Sequence, residues 1–153
     1  MELGRSEGGQ LLTGGERPTG GIYDKGYFYT PTVFEGLSNN ARMVREEIFG
    51  PVLALLPWDD EAELLAQSND NEYGLASGIW TRDYRTAWRI GAALQTGTVW
   101  VNTYKLFSSS TPFGGVKMSG SGREKGRLGI LEYTTQKSWY WGMNEAPMPW
   151  AGS

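Results

Sequence analysis

Val52-Leu53-Ala54-Leu55-Leu56, Leu75-Ala76-Ser77-Gly78-Ile79-Trp80-Thr81 and Thr98-Val99-Trp100-Val101-Asn102 are three short apolar runs separated by two stretches of helical character. A run of this length suits a strand covered on both faces, as in a parallel sheet. Between the first two runs, Asp60 and Glu63 have the spacing of an acidic N-cap box, which predicts a helix over about 60–69. Between the second and third, Asp83 stands where a helix over 83–95 needs its cap. Tyr84, Ala87, Trp88, Gly91 and Leu94 recur at helical spacing and are expected to face the core, with Gly97 placed to end the helix. Strand, helix, strand, helix, strand predicts the α/β class: a parallel βαβαβ sheet with right-handed crossovers.

Outward from this block the pattern loosens. Gly4 to Gly21 reads as a helix end followed by a turn-rich connector. Gly26 to Phe34 is aromatic and β-branched and reads as a strand, with Pro31 marking an edge or a bend. Gly50-Pro51 breaks any regular element. Lys105 to Gly126 is irregular and rich in Ser and Gly, and a last strand is expected over Tyr133 to Trp141. The tail, Asn144 to Ser153, holds two prolines and is expected to be extended or frayed.

Composition excludes several kinds of chemistry. With 153 residues, 39% hydrophobic and 20% charged, the chain suits one soluble domain with a sizeable core. A net charge of -3 argues against a nucleic-acid partner. No apolar run approaches the roughly 18 residues of a membrane span. The start, Met1 to Arg5, lacks the apolar centre of a signal peptide, so a cytoplasmic location is expected. Cysteine and histidine are both absent. Thiolate nucleophiles, disulfides, Ser-His triads and most zinc sites are therefore excluded within these residues, and no metal is expected.

Four segments remain as candidate sites. In Glu46-Glu47-Ile48-Phe49-Gly50-Pro51, a sharp bend follows a carboxylate and a ring. Such a carboxylate accepts hydrogen bonds from ribose hydroxyls, and such a ring packs on a planar heterocycle; the competing assignment is a solvated Glu47 and a core Phe49. The loop from Asn102 to Gly115 leaves the C-terminal end of a predicted parallel strand, where ligands of α/β sheets bind. Phe107 and Phe113 either line an apolar pocket there or simply anchor the loop. In Lys117 to Gly126, Gly120-Ser121-Gly122 lacks the full phosphate-binding glycine pattern, and no strand directly precedes it. Glu124 there either orders the loop or sits near a reactive centre. The aromatic strand Tyr133 to Trp141 is expected to offer an open edge for subunit pairing through Lys137, Trp139 and Trp141, in preference to carbohydrate binding.

Five stretches of the chain occur together, in the same order, in the aldehyde dehydrogenase superfamily, which the chain resembles from about Gly4 to about Lys137. They are Gly26-Tyr27-Phe28 with Pro31-Thr32-Val33-Phe34; Arg45-Glu46-Glu47-Ile48-Phe49-Gly50-Pro51-Val52; Tyr73-Gly74-Leu75-Ala76-Ser77; Gly97-Thr98-Val99-Trp100-Val101-Asn102; and Pro112-Phe113-Gly114-Gly115 with Lys117 to Glu124. The resemblance implies the C-terminal third of such an enzyme: the C-terminal part of the catalytic domain over 1–130, and an oligomerisation strand and tail over 131–153. It implies NAD or NADP as cofactor, a small-molecule aldehyde as substrate, and pairing with dehydrogenase subunits as homodimer or homotetramer. Family members attack the aldehyde with a cysteine thiolate, transfer hydride to the nicotinamide and hydrolyse the thioester with water activated by a glutamate. By the same resemblance Glu47 binds the nicotinamide-ribose hydroxyls and Phe49 contacts the nicotinamide side. Phe107 and Phe113 line the substrate tunnel. Glu124 is a buried glutamate near the active centre, in a possible proton path.

One departure is large. In the family the nucleophilic Cys, the general-base Glu and the dinucleotide-binding domain all precede the matched region. No catalytic residue is therefore expected here, and the chain alone is expected to be inactive. Met1 then reads as an internal start, the product of a split gene or the head of a partial sequence. The alternative function is a non-catalytic module that pairs with dehydrogenase subunits through the last strand.

Overall fold

The structure is a computed structural model that describes residues 1–143; the expected tail from Asn144 to Ser153 lies outside the described residues. Its helices are α1 (Glu2–Ser6), α2 (Arg42–Arg45), α3 (Glu61–Asn69), α4 (Tyr84–Ala93) and α5 (Gly126–Leu131). Its strands are β1 (Gln10–Thr13), β2 (Thr32–Glu35), β3 (Val52–Leu55), β4 (Tyr73–Gly74), β5 (Ala76–Ile79), β6 (Thr98–Val101) and β7 (Val116–Lys117). The fold is α/β. β1 pairs antiparallel with β2, β2 pairs parallel with β3, β5 pairs parallel with β6, and β4 pairs antiparallel with β7.

The expected βαβαβ sheet is only partly formed. The β5-α4-β6 unit is present, but β3 and β5 belong to different sheets. β3 pairs with β2 instead, and its faces alternate, with Val52 and Ala54 against the core and Leu53 and Leu55 exposed at 55% and 44%, so the unbroken apolar run does not mark a strand covered on both faces. β1 replaces part of the expected connector, and β2 starts only at Thr32, because Pro31 cannot donate to a ladder.

The main core lies under the first sheet. Phe34 is fully buried, with Leu37, Ala41 and Met43 around it and Leu3, Leu11, Val52 and Ala54 against them. Glu7 ties α1 to α2: its carboxylate accepts hydrogen bonds from the Arg42 and Met43 amides at 2.9 and 3.1 Å. Such bonds satisfy amide groups that a helix start leaves free.

Both long helices begin where the sequence places their caps. Asp60 accepts from the Glu63 amide at 2.8 Å, and Glu63 in turn accepts from the Asp59 amide at 2.8 Å. Asp83 accepts from the Arg85 and Thr86 amides and from the Thr86 hydroxyl. The expected core face of α4 needs correction. Ala87 and Ile90 are buried, but Tyr84 and Trp88 are 74% and 81% exposed. They line an apolar trough of about 900 Å³ between α4 and β6. Gly97 does not cap α4 either. Asn69 closes that helix, donating to the Ala93 carbonyl and accepting from the Gln95 amide at 2.9 and 2.8 Å. Gly97 is required for another reason, because a Cβ there would collide with the Gly114 carbonyl.

The strand expected over Tyr133 to Trp141 is absent: residues 135–143 form no regular element. A lone segment has no ladder for its backbone groups, so it cannot be a strand without a partner. The boundary expected at 130 falls inside the last turn of α5, an element the sequence did not suggest. No helix among the described residues is long and apolar enough to cross a membrane.

Four surface carboxylates hold values below their ordinary range. Hydrogen bonds from Arg42, Arg89 and Arg45 lower Glu46, Glu61 and Asp70, and the Thr86 hydroxyl followed by the Arg85 amide lowers Asp83. Their contribution to stability is full above the unfolded values and is lost as pH falls through the folded ones. No histidine titrates near neutrality. The thermal midpoint is therefore expected to change little from about pH 7 to pH 5 and to fall below about pH 4. A midpoint that stays level down to pH 3 in a pH series of melts would exclude these pairs as contributors.

Candidate functional site

Glu47 follows the last turn of α2. Its neighbour Glu46 is held by Arg42 through two hydrogen bonds of 2.7 and 3.1 Å. Glu47 itself has no hydrogen bond or ion pair among the described residues, and it lines an open hollow of about 360 Å³ with Ser68, Asn71, Ser77, Thr96 and Ser119. Two residues on, Phe49 adopts φ +51°, a left-handed conformation that is unusual for an aromatic residue. Gly50-Pro51 sets this bend, with the Val52 amide donating to the Gly50 carbonyl and the Thr32 amide to the Pro51 carbonyl, both at 2.8 Å. The Phe49 ring is 93% exposed and does not line the hollow. The acid thus lies on a concave surface while the ring projects from the chain. Of the competing assignment, a core Phe49 fails, whereas Glu47 is exposed, as that assignment has it.

Phe107 and Phe113 are brought together. Their rings meet edge to face at 5.0 Å, and Trp100 lies 5.5 and 6.4 Å from them. Trp100 is 8% exposed, and its indole N–H donates to the Leu106 carbonyl at 2.8 Å. The three rings line a second hollow of about 390 Å³. Trp100 and Lys125 were missed as members of this cluster. The Lys125 ammonium stands 4.2 Å from the Phe107 ring centroid. Trp100 alternates inward along β6, a signal visible in the sequence; the Lys125 contact depends on loop geometry and left no such mark.

Glu124 is corrected in one respect. Its backbone pairs with Phe113 in both directions, at 2.8 and 2.7 Å, so it does lie beside the aromatic cluster. Its side chain is exposed rather than buried, because nothing among the described residues packs over it. Arg123 stitches this loop, donating to the Gly115, Gly122 and Ser121 carbonyls at 2.6, 2.9 and 3.2 Å. At the far end, Lys137 stands 5.7 Å over the Trp139 ring, and Trp139 and Trp141 are 74% and 77% exposed. Among the described residues no group of acidic side chains could hold a metal ion.

The two hollows lie close along the chain: Thr96, just before β6, lines the one with the acid, and Thr98, at the start of β6, lines the one with the aromatic wall. The sequence pattern of the aldehyde dehydrogenase family matches residues 1–139. The chain belongs to the aldehyde dehydrogenase family. It is 40% identical over its whole length to a betaine aldehyde dehydrogenase of Bacillus subtilis, covering 31% of that protein. It is 44% identical over 98% of its length to a betaine aldehyde dehydrogenase of Cereibacter sphaeroides, covering 30%. Among solved structures, it overlays a Mycobacterium tuberculosis aldehyde dehydrogenase complexed with NAD+ with TM-score 0.84 and 43% identity. That match covers 95% of this chain and 30% of the other. The NAD+ complex of a Bacillus cereus aldehyde dehydrogenase gives TM-score 0.85 and 42% identity, covering 94% and 28%. The chain therefore spans about 30% of the length of the relatives it matches.

Proposed function

We propose that these residues form the C-terminal part of the catalytic domain of an NAD(P)-dependent aldehyde dehydrogenase, which oxidises an aldehyde to a carboxylic acid. The single supporting observation is the Glu47 carboxylate: Glu46 and Glu47 both line the hollow, but Glu46 is paired with Arg42, while Glu47 has no partner among the described residues. Two free carboxylate oxygens fit two neighbouring hydroxyls, as a nicotinamide ribose presents. Bound there, NAD or NADP supplies the hydride acceptor. Glu47 orients its ribose, and Phe49 packs against the nicotinamide side. Phe107, Phe113 and Trp100 wall off the aldehyde's apolar part and exclude water from it. Glu124, beside Phe113, lies on a path for protons.

These 153 residues contain no cysteine. The thiolate must come from residues outside them, and the chain alone is expected to be inactive. Its surface points the same way. Leu53, Trp80, Tyr84 and Trp88 are 55–81% exposed, apolar surface of the kind that another part of a larger fold covers. Mixing the chain with a separately made N-terminal part of the Bacillus subtilis relative should yield dinucleotide-linked aldehyde oxidation. A soluble, co-folded mixture without activity would refute it.

The exposed aromatics support a second reading, a module that pairs with dehydrogenase subunits. Tyr133, Trp139, Tyr140 and Trp141 are 74–96% exposed on a segment without a ladder. Edge pairing with a partner sheet would complete it. Removing the residues after Gly129 is expected to abolish capture of a full-length relative in a pull-down. Undiminished capture would exclude the segment as the pairing element.

A further inference from the structure

We propose that Arg45, Asp70 and Lys117 are positioning residues, which pin the Glu47 bend and the 107–117 loop to one turn, Asn69-Asp70-Asn71, at the end of α3. Arg45 is the last residue of α2, two before Glu47. Its guanidinium donates to both oxygens of Asp70, at 2.9 and 3.3 Å. A two-pronged bond of this kind fixes direction as well as distance. Asp70 is the C-cap of α3, so the bend hangs from the helix end.

Lys117 grips the same turn from the other side. Its ammonium donates to the Asn69 and Asn71 carbonyls at 2.7 and 2.9 Å, where a helix end presents free oxygens and partial negative charge. Lys117 lies four residues after Phe113 and adopts φ +55°, a conformation that lysine holds only when its surroundings impose it. The adjacent Met118 amide adds a bond to the Glu72 carbonyl at 2.9 Å. Asn69 meanwhile closes α4, which leads into β6 and Trp100. Bend, aromatic loop and β6 are thus tied to three consecutive residues. One exposed ion pair does little by itself. Here several bonds converge, so loosening one arm should be felt at the other. The functional consequence rests on Glu47 as the dinucleotide ligand; the mechanical link does not.

The test is amide hydrogen exchange on the full chain. Asp70→Asn should speed exchange at the Glu46 and Val52 amides at least tenfold and leave the Asn102 amide unchanged. Lys117→Met should speed the same two amides, although Lys117 touches neither. Glu61→Gln, which breaks the Arg89 ion pair instead, should not. Equal acceleration by all three variants, or by neither of the first two, would overturn the link. In the reconstituted enzyme, Asp70→Asn should raise the dinucleotide KM more than it lowers kcat, and the exchanged pair Arg45→Asp with Asp70→Arg should restore it. If Glu47→Ala leaves that KM unchanged, the ligand assignment fails; if only Glu47→Ala raises it, the positioning role fails.

Discussion

Phe34→Ala is expected to cost about 3–5 kcal/mol, enough to unfold the β1-β2-β3 sheet of the isolated chain. Phe34 is fully buried, and its ring is the largest side chain among those with no exposure. Its neighbours reach it from four elements: Leu3 on α1, Leu11 on β1, Met43 on α2 and Val52 on β3. None of these can fill the space alone, so removal of the ring leaves a cavity as well as a lost transfer term. Gly4 shows how tight the packing is: a Cβ there would lie 3.0 Å from the Phe34 ring and collide with the Met43 sulfur. A domain retains only about 5–15 kcal/mol in total, and a chain with this much open apolar surface is at the low end. Far-UV circular dichroism in a urea series measures the loss. A change below about 1 kcal/mol would mean that the small core is not what holds the sheet together.

What was legible in the sequence was local. α3 and α4 announced themselves through Asp60, Glu63 and Asp83, whose side chains bond to amides two to four residues away. β3, β5 and β6 showed as apolar runs. Contacts between distant segments were not legible. β4 and β7 are two residues each, and only their pairing across 42 positions makes them strands. β1 carries no alternation of its own and is defined by β2. Tyr84 and Trp88 have the spacing of a core face, but spacing cannot say whether the chain contains what covers it.

The same division runs through the candidate site. Phe107 and Phe113 were placed by their loop at the end of β6, and they meet. Glu47 was placed by the bend that follows it. The Phe49 ring, the exposure of Glu124 and the missing strand after α5 differ from expectation for one shared reason. Each is surface that nothing among the described residues covers. An aromatic ring at φ +51° and 93% exposure gains nothing from the isolated fold.

Glu47→Ala is accordingly expected to lower the activity of the reconstituted enzyme by tenfold to about a hundredfold, through both a higher dinucleotide KM and a lower kcat. A carboxylate that accepts two hydroxyl hydrogen bonds fixes the ribose and, through it, the ring that takes the hydride. Its loss weakens binding and also spreads the ring over unproductive orientations, and small misplacements at a reacting atom are expensive. Glu47→Gln keeps one accepting oxygen and should fall between. Glu46→Gln is the control: that carboxylate is one residue away but engaged with Arg42, so its loss should change the dinucleotide KM less than twofold. Steady-state kinetics with the dinucleotide varied separate the cases. If Glu46→Gln proved the more damaging, the ribose ligand would be the paired acid, which lines the same hollow.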